Sequence, residues 1–100
     1  MTMNHIVLFR RKADAASSPQ EEAALVERMA TLDRQIDFVR GWRFSANELK
    51  RPACWDYVLE SSFDDADAVN AYLVHPAHMA LVGDLKKTFE WVACDYTVKA

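Results

Sequence analysis

Three histidines and one tyrosine carry the proton-transfer capacity of this sequence: His5, Tyr72, His75 and His78. Histidine titrates nearest neutrality, so it most readily takes or gives a proton at physiological pH. Tyrosine adds a hydroxyl that stays protonated and can donate to a carbonyl. Three of the four fall within Tyr72-Leu73-Val74-His75-Pro76-Ala77-His78, the one concentrated chemical signal in the chain. A tyrosine and two histidines converging on an apolar cavity can polarise a carbonyl and move a proton. The same residues also have structural uses. His75 can sit at a helix C-terminus, where the dipole favours a cation. Tyr72 can be core with its hydroxyl bonded, and His5 a satisfied strand residue. His75 and His78 have helical ligand spacing, but Pro76 makes them diverge, and no Cys or carboxylate completes a zinc set. No metal is expected.

Other chemistries leave no mark. There is no phosphate-cradling glycine loop, no nucleophile elbow and no nicotinamide or flavin fingerprint, so no cofactor is expected. The formal charge is −3, from 12 basic and 15 acidic residues, which argues against nucleic-acid binding. No apolar run approaches the roughly 20 residues that span a bilayer. The segment Met1-Thr2-Met3-Asn4-His5 lacks the basic stretch and apolar core of a signal peptide, so a cytoplasmic protein without membrane contact is expected. Cys54 and Cys94 are isolated and read as small buried apolar residues of a reducing compartment.

The elements that must position these groups are legible from periodicity. Residues 3–12 read as a strand, with Ile6 and Leu8 on one face and Val7 and Phe9 on the other. A strand apolar on both faces is covered on both sides. His5 shares the Val7 and Phe9 face. Residues 18–36 read as a helix: Ser18 is the N-cap, Pro19 the first helical residue, and Glu21 completes a capping box. Leu25, Met29, Leu32 and Ile36 form its core stripe. Residues 38–48 read as a second strand with a bulge or bend at Gly41, and residues 54–63 as a third. Asp64 or Asp65 caps a second helix, which Pro76 ends while starting another helical piece. That piece runs toward Phe89, with an irregularity expected at Gly83. Residues 91–98 are the last strand, again apolar on both faces.

The order β-α-β-β-α-β predicts an α+β, ferredoxin-like domain over residues 1–100, with a four-stranded antiparallel sheet in the order 4-1-3-2. That order puts Cys54 and Cys94 out of reach of each other. Both helices lie on one face. The other face, bearing the apolar sides of the first and last strands, needs a cover. A second copy of the sheet is the simplest, giving a twofold homodimer.

The sequence also resembles the stress-responsive dimeric α/β-barrel (Dabb) domain family along essentially its whole length. The resemblance rests on His5-Ile6-Val7-Leu8-Phe9, Phe63-Asp64-Asp65, the segment Ala71 to His78, and Asp95-Tyr96. It departs from the family where Phe38-Val39-Arg40-Gly41 lacks a proline and where Ser45-Ala46-Asn47 stands for G-x-N. The resemblance implies a homodimeric α/β barrel. A similar plant polyketide cyclase, which condenses its substrate without a cofactor, implies His78 as general base and Tyr72 as donor to the substrate carbonyl. The pocket would be lined by His5, Val7, Phe9 and His75 and would take a small apolar or aromatic ligand. Cofactor-independent monooxygenases share the architecture. The alternative is a stress-related stability or interaction module in which the histidines only pack and cap.

Overall fold

The computed structural model describes residues 2–99. Strand β1 is Thr2–Arg11, helix α1 Pro19–Thr31, strand β2 Gly41–Ala46, strand β3 Tyr57–Phe63, helix α2 Ala66–Leu73, helix α3 Pro76–Leu85 and strand β4 Phe89–Val98. The sheet is antiparallel in the order β2-β3-β1-β4, the order expected read from the other edge. The ferredoxin-like α+β fold is therefore the one the sequence predicts.

Helix α1 starts as expected. The Ser18 side chain accepts from the Glu21 amide, and the Glu21 carboxylate accepts from the Ser18 amide, so two donors without intrahelical partners are satisfied reciprocally. The helix ends at Thr31 rather than at residue 36. Thr31 leaves α geometry at φ −117° and ψ 6°, and a 3-10 turn follows over Leu32–Gln35. The indole N–H of Trp42 donates to the Met29 carbonyl at 3.1 Å, satisfying a group this ending frees. Leu32 and Ile36 keep their core positions, so the apolar stripe continues while the helix does not.

Two strands are shorter than expected. Strand β2 begins at Gly41, because the chain turns at residues 37–38 with the Val39 amide bonded to the Ile36 carbonyl. Gly41 marks a close approach rather than a bulge: a Cβ there would collide with the Ser62 hydroxyl on β3. Strand β3 begins at Tyr57, since a turn closed by the Cys54 amide and the Arg51 carbonyl occupies the preceding residues. Helix α3 passes through Gly83 without the expected irregularity, and a Cβ there would point into open space.

Strand β1 is central to the site. Its residues His5, Val7 and Phe9 face the helices and are buried, as alternation requires. The register sets His5 opposite Asp95 of β4 and Ser61 of β3, with Val7 opposite Ala93 and Phe9 opposite Trp91. Phe63, Phe89 and Ile36 are fully enclosed between sheet and helices. The other face carries Leu8, Val92, Tyr96 and Val98, all exposed. Cys54 and Cys94 are free and exposed, not buried as their type suggested. Cys54 lies in the loop before β3, and Cys94 opposes Ile6 on the open face.

Candidate functional site

A cavity of about 240 Å³ lies between the sheet and the helices. Its floor is His5, Val7 and Phe9 of β1. Tyr72 and His78 line it too, and Met29 and Leu81 are among its helical lining residues. The lining is almost wholly apolar apart from His5, Tyr72, His78 and Asp95, the arrangement in which a few polar groups orient a ligand. The cavity meets solvent beside edge strand β4, where its lining residues Ala93 and Asp95 are exposed.

Tyr72 is 2% exposed, in the last turn of α2. Its ring is clamped by aromatic neighbours: Phe63 at 5.1 Å between centroids, His5 at 5.8 Å and Trp42 at 6.0 Å. Its hydroxyl has no partner among the described residues. No fully enclosed side-chain polar atom among those residues lacks a partner, so the hydroxyl keeps some accessible surface, and Tyr72 lines the cavity. Burial pushes the phenol well above its ordinary pKa, which keeps it a neutral donor.

His78 enters from the first turn of α3, an arrangement that follows from Pro76 at the start of that helix. Its Nδ1 lies 2.9 Å from the Leu73 carbonyl. A carbonyl only accepts, so Nδ1 carries the proton and the neutral ring has its lone pair on Nε2. Leu73 ends α2, where carbonyls lack helical partners, so the same bond also completes that helix. Burial lowers the His78 pKa from its ordinary value, opposed by the Leu73 bond, with His5 and His75 adding to the lowering. The result is a half-buried, neutral imidazole whose ring centroid is 4.4 Å from that of Tyr72.

His5 is fixed from two sides. Ser61 donates to its backbone carbonyl at 2.7 Å, and its Nδ1 pairs with the Asp95 carboxylate. The His5 side chain is 6% exposed and that of Asp95 is 47% exposed. The pair thus runs from the cavity floor to the solvent edge.

The family model for the stress-responsive A/B barrel domain matches residues 3–98. The chain belongs to the Dabb family. This Dabb chain is 36% identical over 94 residues to an uncharacterised protein of Streptomyces coelicolor, covering 94% of this chain and 97% of that one. Among solved structures it is similar to a dimeric protein of unknown function and ferredoxin-like fold from Bacteroides fragilis. That similarity has a TM-score of 0.78 and 27% identity, over 97% of this chain and 96% of the other. A hydroxynitrile lyase from Passiflora edulis superposes with a TM-score of 0.82 over 98% of this chain and 94% of that one. At 14% identity that likeness is one of fold.

The Dabb fold brings together five of the six residues singled out from the sequence: His5, Val7, Phe9, Tyr72 and His78. His75 stands apart. It is absent from the cavity lining and caps α3, its Nδ1 accepting from the Ala77 amide at 3.1 Å. It is an N-cap of the third helix rather than a C-cap of the second. His75 and His78 therefore have separate partners, and no group of three or more His, Cys, Asp or Glu among the described residues could hold a metal ion. No helix among those residues is long and apolar enough to cross a membrane.

Sequence reasoning missed Asp95, Trp42 and Met29 as site residues. Asp95 had a signal: it alternates with Trp91 and Ala93, and strand pairing brings that face beside His5. Trp42 and Met29 meet only through the packing of α1 on β2, which periodicity does not report.

Proposed function

We propose that this Dabb chain binds a small apolar or aromatic carbonyl compound in the cavity and abstracts a proton beside the carbonyl, without a cofactor. His78 Nε2 is the general base and the Tyr72 hydroxyl donates to the carbonyl oxygen. His5, Val7 and Phe9 are the wall against which the ligand packs. The observation that carries this reading is the pairing of a neutral phenol and an imidazole whose Nε2 has no partner among the described residues, ring centroids 4.4 Å apart, in a largely apolar cavity. A carbon acid of this kind serves polyketide-cyclase-like ring closure, and its carbanion is also the species a cofactor-free monooxygenase presents to dioxygen.

The test is hydrogen–deuterium exchange at the α-carbon of 1,3-dicarbonyl and aryl ketone compounds, followed by NMR. Exchange accelerated about 10²-fold over buffer, and lost in His78→Gln, is expected. A folded protein that neither accelerates exchange nor binds these compounds is a stability module instead.

The functional unit of the proposal is a homodimer with sheet facing sheet. Leu8, Val92 and Val98 leave an apolar stripe on the open face, and the Bacteroides fragilis protein is dimeric. Residues 1–100 act as one domain in the cytoplasm, in keeping with the family match over residues 3–98 and two free thiols.

A further inference from the structure

We infer that Asp95 and His5 form a second polar unit of the cavity, one that receives negative charge on the ligand oxygen, so that the preferred ligands are enolates and phenolates. The inference rests on the ligand site proposed above and deepens it.

The geometry separates the two ring nitrogens of His5. Nδ1 is turned to the Asp95 carboxylate. Nε2 has no partner among the described residues, yet no fully enclosed polar side-chain atom among them is unpartnered. Nε2 therefore keeps some accessible surface, and His5 lines the cavity with Tyr72, their ring centroids 5.8 Å apart. A carboxylate on one nitrogen fixes the ring orientation and leaves the other nitrogen to face a ligand. The titratable groups that line the cavity are His5, Tyr72, His78 and Asp95. Of these, only His5 has a carboxylate behind it.

A carbonyl compound needs two things here. When His78 Nε2 takes the α-proton, the C–H electron pair becomes a carbon–carbon double bond and the carbonyl oxygen takes the negative charge. His78 becomes an imidazolium, and the oxygen needs donors aimed at it. Tyr72 supplies one neutral donor. In the proposal His5 supplies the second, from Nε2–H with its Nδ1–H on Asp95. A carboxylate-backed histidine beside Tyr72 has no role in binding a ligand that stays neutral. Asp95 is a positioning residue in this arrangement, acting through His5.

The experiment uses para-nitrophenol, whose absorption reports whether it is bound as phenol or phenolate, beside para-nitroanisole, which cannot ionise. Wild-type protein should bind the phenolate about tenfold or more tighter than the anisole, and the phenol should titrate about one unit or more lower when bound than when free. Asp95→Asn should lose that preference, read as the ratio of phenolate to anisole affinity. His5→Gln should lose it too and stands in if Asp95→Asn does not fold. An unaltered phenolate preference in either folded variant, or a phenol bound in its neutral form by the wild type, overturns the inference and leaves the ligand site standing. Failure of both probes to bind the wild type overturns the ligand site and the inference with it.

Discussion

The rings of Tyr72 and His78 lie 4.4 Å apart and tilted by 52°, although one residue ends α2 and the other begins α3. Pro76 creates this juxtaposition. It cannot continue α2, yet its fixed φ suits the first turn of α3, so the chain breaks direction between the two side chains. Removing the Tyr72 hydroxyl should therefore separate function from folding. Tyr72→Phe keeps the ring contacts with Phe63 and Trp42 and removes a hydroxyl without a partner among the described residues. Its unfolding free energy should stay within about 1 kcal/mol of wild type in denaturant titration. Its α-proton exchange activity should fall about 10²-fold. A large stability loss would show that the hydroxyl serves the core.

His78 makes stability depend on pH in a definite direction. Burial lowers its folded pKa below the ordinary 6.5, so the unfolded chain takes up the proton first as pH falls. The unfolded state then binds more protons than the native state, and stability declines from about pH 6.5 downward until the folded ring also titrates. Above that range His78 contributes no slope. Urea titrations at a series of pH values should show the decline in the wild type and a shallower one in His78→Gln. The same lowering keeps the base neutral into mildly acidic solution, so exchange activity should persist below pH 6.5.

His75 should behave as a cap. His75→Ala leaves the Ala77 amide without its acceptor and should cost about 0.5–2 kcal/mol in unfolding free energy. His75→Asn or His75→Asp should restore most of it, because each keeps an acceptor at the N-cap. Ligand affinity should be unchanged in all three. An affinity loss in folded His75→Asn would bring this side chain into the binding site.

The close approach of Gly41 to Ser62 gives a paired test. Gly41→Ala pushes a methyl group into the Ser62 hydroxyl and should cost about 1–3 kcal/mol. Ser62→Ala removes the obstructing oxygen, so the double variant should recover most of the loss. Purely additive effects in that cycle would mean that the strain lies elsewhere on β2.

The open sheet face should report the assembly. Val92 is 50% exposed in the single chain, with Leu8 opposite it at 40%. Wild-type protein should sediment at about twice the 11.4 kDa chain mass at micromolar concentration. Val92→Asp should yield a folded monomer, since a buried carboxylate without a partner disfavours association. A monomeric wild type would rule out the sheet-to-sheet dimer.

The sequence by itself determined the elements, their order and the face on which His5 stands. Alternation along Ile6, Val7, Leu8 and Phe9 has a period of two wherever the strand packs, and the signals of Ser18, Pro19, Glu21 and Pro76 act through the local backbone. It did not determine the length of α1, the start of β2 or the partners of the histidines. Those depend on groups distant in the chain: the Trp42 indole on the Met29 carbonyl, Ser62 against Gly41, Asp95 on His5. His75 and His78 are the clearest case. They lie three residues apart and share a side-chain type, yet one caps a helix while the other turns a free nitrogen to a cavity. Only the tertiary structure distinguishes them, because an imidazole takes its role from whichever donor or acceptor the fold places within reach.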